Sequence, residues 1–149
     1  MSAPVFVDTN VLIYAVDTFD AKKHAMARVW RDELWKSRRG RISFQVLHEF
    51  FAKVTQKWPA AREDARAEVR DLLRWKPVVL DEIILERGWK IQDRYRISFW
   101  DALIVAAARQ ASCGYLLTED LRAGQEMEGL MIVNPFQARL DSLGARNVR

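Results

Sequence analysis

Val5-Phe6-Val7-Asp8-Thr9-Asn10-Val11-Leu12-Ile13 is the stretch from which the fold is read. Three β-favouring apolar residues stop abruptly at three polar ones, and an apolar run then resumes. That pattern is a buried strand turning into a helix, with Asp8 or Asn10 as the N-cap. The same grammar recurs along the chain. Arg41-Ile42-Ser43-Phe44, Val78-Val79-Leu80, Tyr115-Leu116-Leu117 and Met131-Ile132-Val133 are predicted as further short strands. Between them lie helical stretches. One starts at Asp20 and carries Ala25, Met26, Val29, Trp30 and Leu34 at three- and four-residue steps. It closes at Lys36-Ser37-Arg38-Arg39-Gly40, where Gly40 is read as a left-handed cap. Others are predicted over residues 45–57, 62–74, 81–94 and 99–108, the first stopped by Trp58-Pro59 and the last started by Ser98. Short apolar strands alternating with longer helices predict an α/β fold, a three-layer α/β/α sandwich with a mainly parallel central sheet. The strands are continuous apolar runs, as expected when both faces are covered.

The chain has 149 residues, half of them hydrophobic and 11% aromatic, which suits one domain over 1–149 with a substantial core and excludes disorder as its main character. No repeat, low-complexity tract or Gly/Ser-rich linker marks a boundary. The longest apolar run, 102–108, is too short to cross a bilayer, and Asp8 interrupts the only apolar stretch placed to resemble an export signal. A reducing cytoplasm is therefore the expected location. The single cysteine, Cys113, excludes an internal disulfide and a multi-cysteine zinc site. Lys plus Arg number 24 against 20 Asp plus Glu, a net of +4, a moderate bias towards anionic partners.

Four carboxylates stand out. In parallel α/β sheets, ligands bind beyond the carboxyl ends of the strands, and Asp8 and Asp120 come after predicted strands there. Asp101 interrupts Phe99-Trp100-Asp101-Ala102-Leu103-Ile104-Val105, a helix apolar around most of its circumference. An ionised carboxylate in such surroundings needs a partner, a hydrogen bond or a metal. Glu49 borders the apolar face of its helix. Each also has a local reading. Asp8 is a cap candidate, Asp101 is three residues from Ser98 as in a capping box, Glu49 is one turn from Lys53, and Asp120 can cap the segment after it. If the topology gathers all four, their repulsion calls for a hard divalent cation, and an all-oxygen ligand set indicates Mg²⁺ or Mn²⁺ rather than zinc. Setting the four aside leaves 24 cations against 16 acids, a net of +8. Arg38, Arg39, Arg41, Arg94, Arg96 and Arg122 are the candidate basic rim for a polyanion whose scissile phosphate meets the cation. Arg62, Arg66, Arg70 and Arg74 read instead as a solvated helix face. His24 and His48 read as packing or surface residues, and the six tryptophans as mainly core rather than a base-stacking platform.

The ordered set Val5-Phe6-Val7-Asp8-Thr9-Asn10, Gln45-Val46-Leu47-His48-Glu49-Phe50, Phe99-Trp100-Asp101-Ala102-Leu103-Ile104-Val105, Leu117-Thr118-Glu119-Asp120-Leu121 and Ile132-Val133-Asn134-Pro135-Phe136 resembles the PIN-domain nucleases. Within them, the VapC-type toxins of toxin–antitoxin pairs are the most similar. This resemblance implies a metal-dependent endoribonuclease in which Asp8, Asp101 and Asp120 hold one or two Mg²⁺ ions. Glu49 completes the acidic site, and Asn10 and Thr118 support it. The family pattern selects Asp120 over the adjacent Glu119. It also implies an antitoxin protein as partner, and a homodimer. The rival readings are a PIN-fold RNA-processing nuclease without an antitoxin and a non-catalytic RNA- or partner-binding module of the same fold. A phosphoacceptor receiver domain is disfavoured, because neither an acid pair after the first strand nor a late strand-end lysine is present.

Overall fold

A computed structural model describes residues 3–138; residues 1–2 and 139–149 of the expected domain lie outside the described ones. The elements run β1 (Val5–Val7), α1 (Thr9–Tyr14), α2 (Ala21–Ser37), β2 (Gly40–Arg41), α3 (Phe44–Lys57), α4 (Arg62–Leu72), α5 (Glu82–Tyr95), α6 (Phe99–Gln110), β3 (Tyr115–Leu117), β4 (Glu126–Met127) and β5 (Leu130–Val133). The sheet order is β2-β1-β3-β5-β4. β2, β1, β3 and β5 are parallel, and β4 is antiparallel to β5. The expected α/β sandwich with a mainly parallel sheet is the fold observed. All three residues of β1 are buried, so helices cover both of its faces. From β1 the chain moves outward to β2, then crosses to β3 on the other side. That reversal of direction opens a crevice between the carboxyl ends of β1 and β3.

Local chemistry sets most boundaries. Asp20, Ser43, Asp81 and Ser98 accept hydrogen bonds from the backbone N–H three residues on and so cap α2, α3, α5 and α6. The core is continuous, with Phe6, Leu12, Leu34, Phe50, Ile84, Leu116 and Ile132 among its fully buried side chains.

Four expectations need correction. The predicted strand 41–44 shrinks to Gly40–Arg41, because Ser43 leaves the ladder to cap α3. With so little edge left to pair, Val78 makes only an isolated bridge to Ser43, and no strand forms at 78–80. Gly40 is not the left-handed cap. Arg38 takes that conformation at φ 60°, while Gly40 lies so close to the Trp75 indole that a Cβ would sit 2.5 Å from the ring. The tryptophans are not mainly core: Trp89 in the middle of α5 and Trp100 in the first turn of α6 are 47% and 60% exposed, whereas Trp30 and Trp75 belong to the core. The short β4 was not anticipated. Glu128 and Gly129, both at positive φ, join it to β5 in a two-residue hairpin of the primed kind.

Candidate active site

The residue after β1 is Asp8, whose backbone N–H still donates to Leu117 O on β3 at 3.0 Å. This bond holds Asp8 at the mouth of the crevice, 6% exposed. Its Oδ1 accepts from Thr9 N at 2.7 Å, capping α1, and its Oδ2 accepts from the Thr118 hydroxyl at 2.8 Å. The cap and the cluster are thus served by different oxygens of one carboxylate. Burial raises the Asp8 pKa from 3.8 to about 6 against these two hydrogen bonds, with smaller contributions from the Asp120 and Asp101 charges.

Asp120 enters from the β3 exit. Thr118, at the end of β3, accepts from Asp120 N at 3.1 Å, which turns the chain so that the Asp120 carboxylate meets Asn10. The Asn10 amide nitrogen donates to Asp120 Oδ2 at 2.9 Å and lies 3.4–3.5 Å from Thr118 Oγ1 and Asp8 Oδ2. One amide therefore bridges two carboxylates of like charge. Glu119 turns the other way and pairs with Lys23 at 2.8 Å. Adjacent acids at the strand exit thus face different partners, because the chain bends at Glu119 and Asp120.

Asp101 sits in the first turn of α6, where Ser98 Oγ accepts from its backbone N–H at 3.1 Å. It is half-buried rather than enclosed. Residues 102–108 are all buried, but Phe99 and Trp100 open the first turn towards solvent, which the circumference argument missed. Burial raises its pKa; the Ser98 hydrogen bond opposes this, and the charges of Asp120 and Glu49 add to the rise. Glu49 reaches the group from α3. Its Oε1 accepts from the Thr9 hydroxyl at 2.7 Å, and no ion pair with Lys53 forms. Thr9 was missed by sequence reasoning. Its signal was its place between Asp8 and Asn10, as a hydroxyl at the start of a helix facing the crevice.

Among the described residues none of the four carboxylates makes a salt bridge, so their charges are answered only by hydroxyl, amide and backbone donors. They feel one another electrostatically, yet among the described residues no three acidic, histidine or cysteine side chains stand together at ligating distance. Mutual repulsion accounts for carboxylates held near one another without closing. The donor set fits a hard divalent cation: four carboxylates, and the Asn10 Oδ1, a buried acceptor with no partner. Beside Glu49, a cavity of about 350 Å³ is lined by Gln45, His48, Glu49, Leu80 and Trp100.

The expected basic rim divides. Arg38, Arg39 and Arg41 lie at the opposite, amino edge of the sheet, because Gly40 is in register with Val5 and Arg39 O accepts from Val5 N. The error came from sequence adjacency to a strand without knowledge of which end faces the acids. Arg94 pairs with Glu128 on the β4–β5 turn, which also accepts from Tyr95 and Arg109. Arg109 lies two turns of α6 away from Asp101. The exposed Arg96 and Arg122 remain close in sequence to the cluster, each two residues from Ser98 or Asp120. Cys113 is half-buried, with its thiol pushed up to about 12 by burial, so it is no nucleophile at neutral pH.

Comparison with known proteins places this geometry. The PIN domain family model matches residues 5–125. No curated protein matches in sequence. Three solved structures share the fold. One is a toxin–antitoxin complex from Klebsiella pneumoniae, at 19% identity and a TM-score of 0.64 over 88% of this chain and 97% of that one. VapBC2 from Rickettsia felis bound to a DNA fragment from its promoter is 15% identical, TM-score 0.59, over 86% and 96%. Mycobacterium tuberculosis VapC20, a Sarcin-Ricin loop cleaving toxin, is 22% identical, TM-score 0.54, over 75% and 86%.

Proposed function

This chain belongs to the PIN domain family, and from that membership and the carboxylate cluster we propose that it is a divalent-cation-dependent endoribonuclease, the toxin of a toxin–antitoxin pair. The observation that carries the reading is the set Asp8, Asp101, Asp120 and Glu49 at the carboxyl edge of the sheet, charge-coupled and, among the described residues, without a cationic partner. A structural network would have recruited a lysine or arginine there, as Glu119 does with Lys23.

Under this reading Asp8, Asp101 and Asp120 hold one or two Mg²⁺ or Mn²⁺ ions. Such a cation would supply a more acidic water and offset negative charge on the phosphoryl and leaving oxygens. The chain's own groups do the remainder. The Thr118 and Thr9 donors fix the Asp8 carboxylate in one orientation. Asn10 restrains Asp120 at 2.9 Å, limiting its rotation. Ser98 anchors the first turn of α6, whose positive end favours the Asp101 anion. Glu49, with Oε1 committed to Thr9, keeps Oε2 to orient a water and accept its proton. Arg96 and Arg122, exposed and two residues from Ser98 and Asp120 in the chain, are the cations assigned to backbone phosphates.

The same reading implies three partners: RNA, an antitoxin protein that covers the cluster, and a second copy of the chain. The structural neighbours that are toxin–antitoxin assemblies support the antitoxin. Among the described residues no helix is long and apolar enough to cross a membrane. The test is cleavage of structured RNA with Mg²⁺ or Mn²⁺ and with EDTA, by the wild type, Asp101→Asn and Asp120→Asn. Both variants should keep their circular dichroism spectrum and lose at least about a hundredfold in rate. Equal cleavage by all three, or full cleavage in EDTA, rejects the assignment.

A further inference from the structure

The amino edge of the sheet carries a second feature, opposite in charge to the crevice. A cavity of about 460 Å³ is lined by Trp35, Arg38, Arg41, Arg74, Trp75 and Lys76. Four of these six residues are cationic and no acid joins them. This volume lies in the range of sites for small organic ligands. We propose that this cavity binds a nucleoside phosphate, with the phosphate on the Arg38, Arg74 and Lys76 side chains and the base against the Trp35 indole.

The wall of the cavity is rigid. Trp75 is buried and lies on Gly40, where any side chain would strike its ring. The Trp35 and Trp75 rings stand 6.2 Å apart. Behind them Arg31 spreads its guanidinium over both, 4.9 and 5.9 Å from the ring centroids. Arg31 is itself held by a two-pronged contact to Glu68, both bonds at 2.9 Å. Glu68 is therefore spent on the cation beside the indoles. Arg41 Nη1 donates to the Arg38 and Gly40 carbonyls at 2.9 and 2.8 Å, which orients its remaining N–H groups.

The cations in front are different. Arg38, Arg74 and Lys76 are exposed, and among the described residues none of them has an ion pair. Arg38 and Lys76 also hold left-handed backbone at φ 60° and 54°, on the two turns that bring α2 and α4 to the cavity. Arg74 is solvent-exposed as expected, and lies in the 3-10 turn Leu73–Trp75 after α4. Guanidinium and ammonium groups without carboxylates favour phosphate, and a partly exposed indole adds affinity for a planar base. Three-residue strands put this edge roughly 10 Å of sheet from the crevice. The proposal does not depend on the acidic cluster being catalytic.

Calorimetric titration in EDTA tests it, using adenosine 5′-monophosphate, adenosine, inorganic phosphate and an oligoadenylate pentamer. The monophosphate should bind at least fivefold more tightly than adenosine or phosphate. The double variant Arg74→Gln/Lys76→Gln should weaken it at least tenfold with an unchanged urea midpoint. Should that variant fold poorly, Arg38→Gln provides the same comparison and should weaken the monophosphate by at least threefold. A pentamer that binds more tightly than the monophosphate, with a salt slope reduced by about 1.4 in the double variant, identifies a strand as the natural source. A pentamer no tighter identifies the free nucleotide. Equal monophosphate affinity in wild type and variants overturns the proposal. So does inorganic phosphate binding as tightly as the monophosphate.

Discussion

Replacing Asp8 by asparagine should abolish cleavage and yet stabilise the fold at neutral pH. Asp8 is buried, and its pKa rises from 3.8 to about 6, chiefly through loss of hydration. The folded protein therefore holds the Asp8 proton more tightly than the unfolded chain. Stability from this group is full below about pH 3.8, falls as the pH climbs towards 6, and is constant above. A rise of that size corresponds to about 3 kcal/mol of destabilisation at pH 7.5 when no cation is present. The Asp8→Asn amide carries no charge and keeps an oxygen for Thr9 N. Its nitrogen must now face the Thr118 hydroxyl and the Asn10 amide, which costs about 1 kcal/mol of hydrogen bonding. The net gain is about 1–2 kcal/mol, or about 3–6 °C in Tm. Urea unfolding of both proteins in EDTA from pH 3.5 to 8 measures it, with the advantage vanishing below about pH 4. Adding Mg²⁺ should raise the wild-type midpoint and leave the variant's unchanged. A variant less stable than wild type at pH 7.5, or an advantage independent of pH, would refute the burial argument.

The strand exit after β3 offers a contrast between neighbours. Glu119→Gln removes the solvent-screened Lys23 pair, with little effect on the melt and RNA cleavage left intact, while Asp120→Asn removes cleavage; rates and melts on the two variants decide which acid serves the crevice. Gly40→Ala drives a methyl into the Trp75 indole and should destabilise by about 1–3 kcal/mol, read from the urea midpoint. Ser98→Ala loses the α6 cap beside Asp101. It should cost about 1 kcal/mol of stability and lower cleavage at fixed Mg²⁺, with the loss partly recovered at higher Mg²⁺.

The sheet's parallel core was readable because its strands are short, wholly apolar and succeeded at once by polar caps. Tyr115-Leu116-Leu117 matches β3 residue for residue. Local pattern did not carry the competition for a few residues. Ser43 is both a fair strand residue and a good cap, and burial at 0% with a bond to Val46 N shows that capping prevailed. Val78-Val79-Leu80 has strand character but no partner long enough to pair with. Asp8, Glu49, Asp101 and Asp120 were legible as acids in unusual surroundings, from strand exits and apolar neighbours. Which way each turns depends on contacts far along the chain, such as Asn10 with Asp120 and Thr9 with Glu49. The arginines were least legible, since a cation's sequence position says nothing about the sheet edge to which a crossover delivers it.

The two outermost strands, β2 and β4, are each two residues long. An unpaired strand margin is where foreign chains dock and fibrils begin, through backbone donors and acceptors left open to solvent. Here each margin offers little more than one repeat of that ladder. This chain should therefore resist sheet-to-sheet polymerisation at high concentration, even though its central strands are among its most apolar segments.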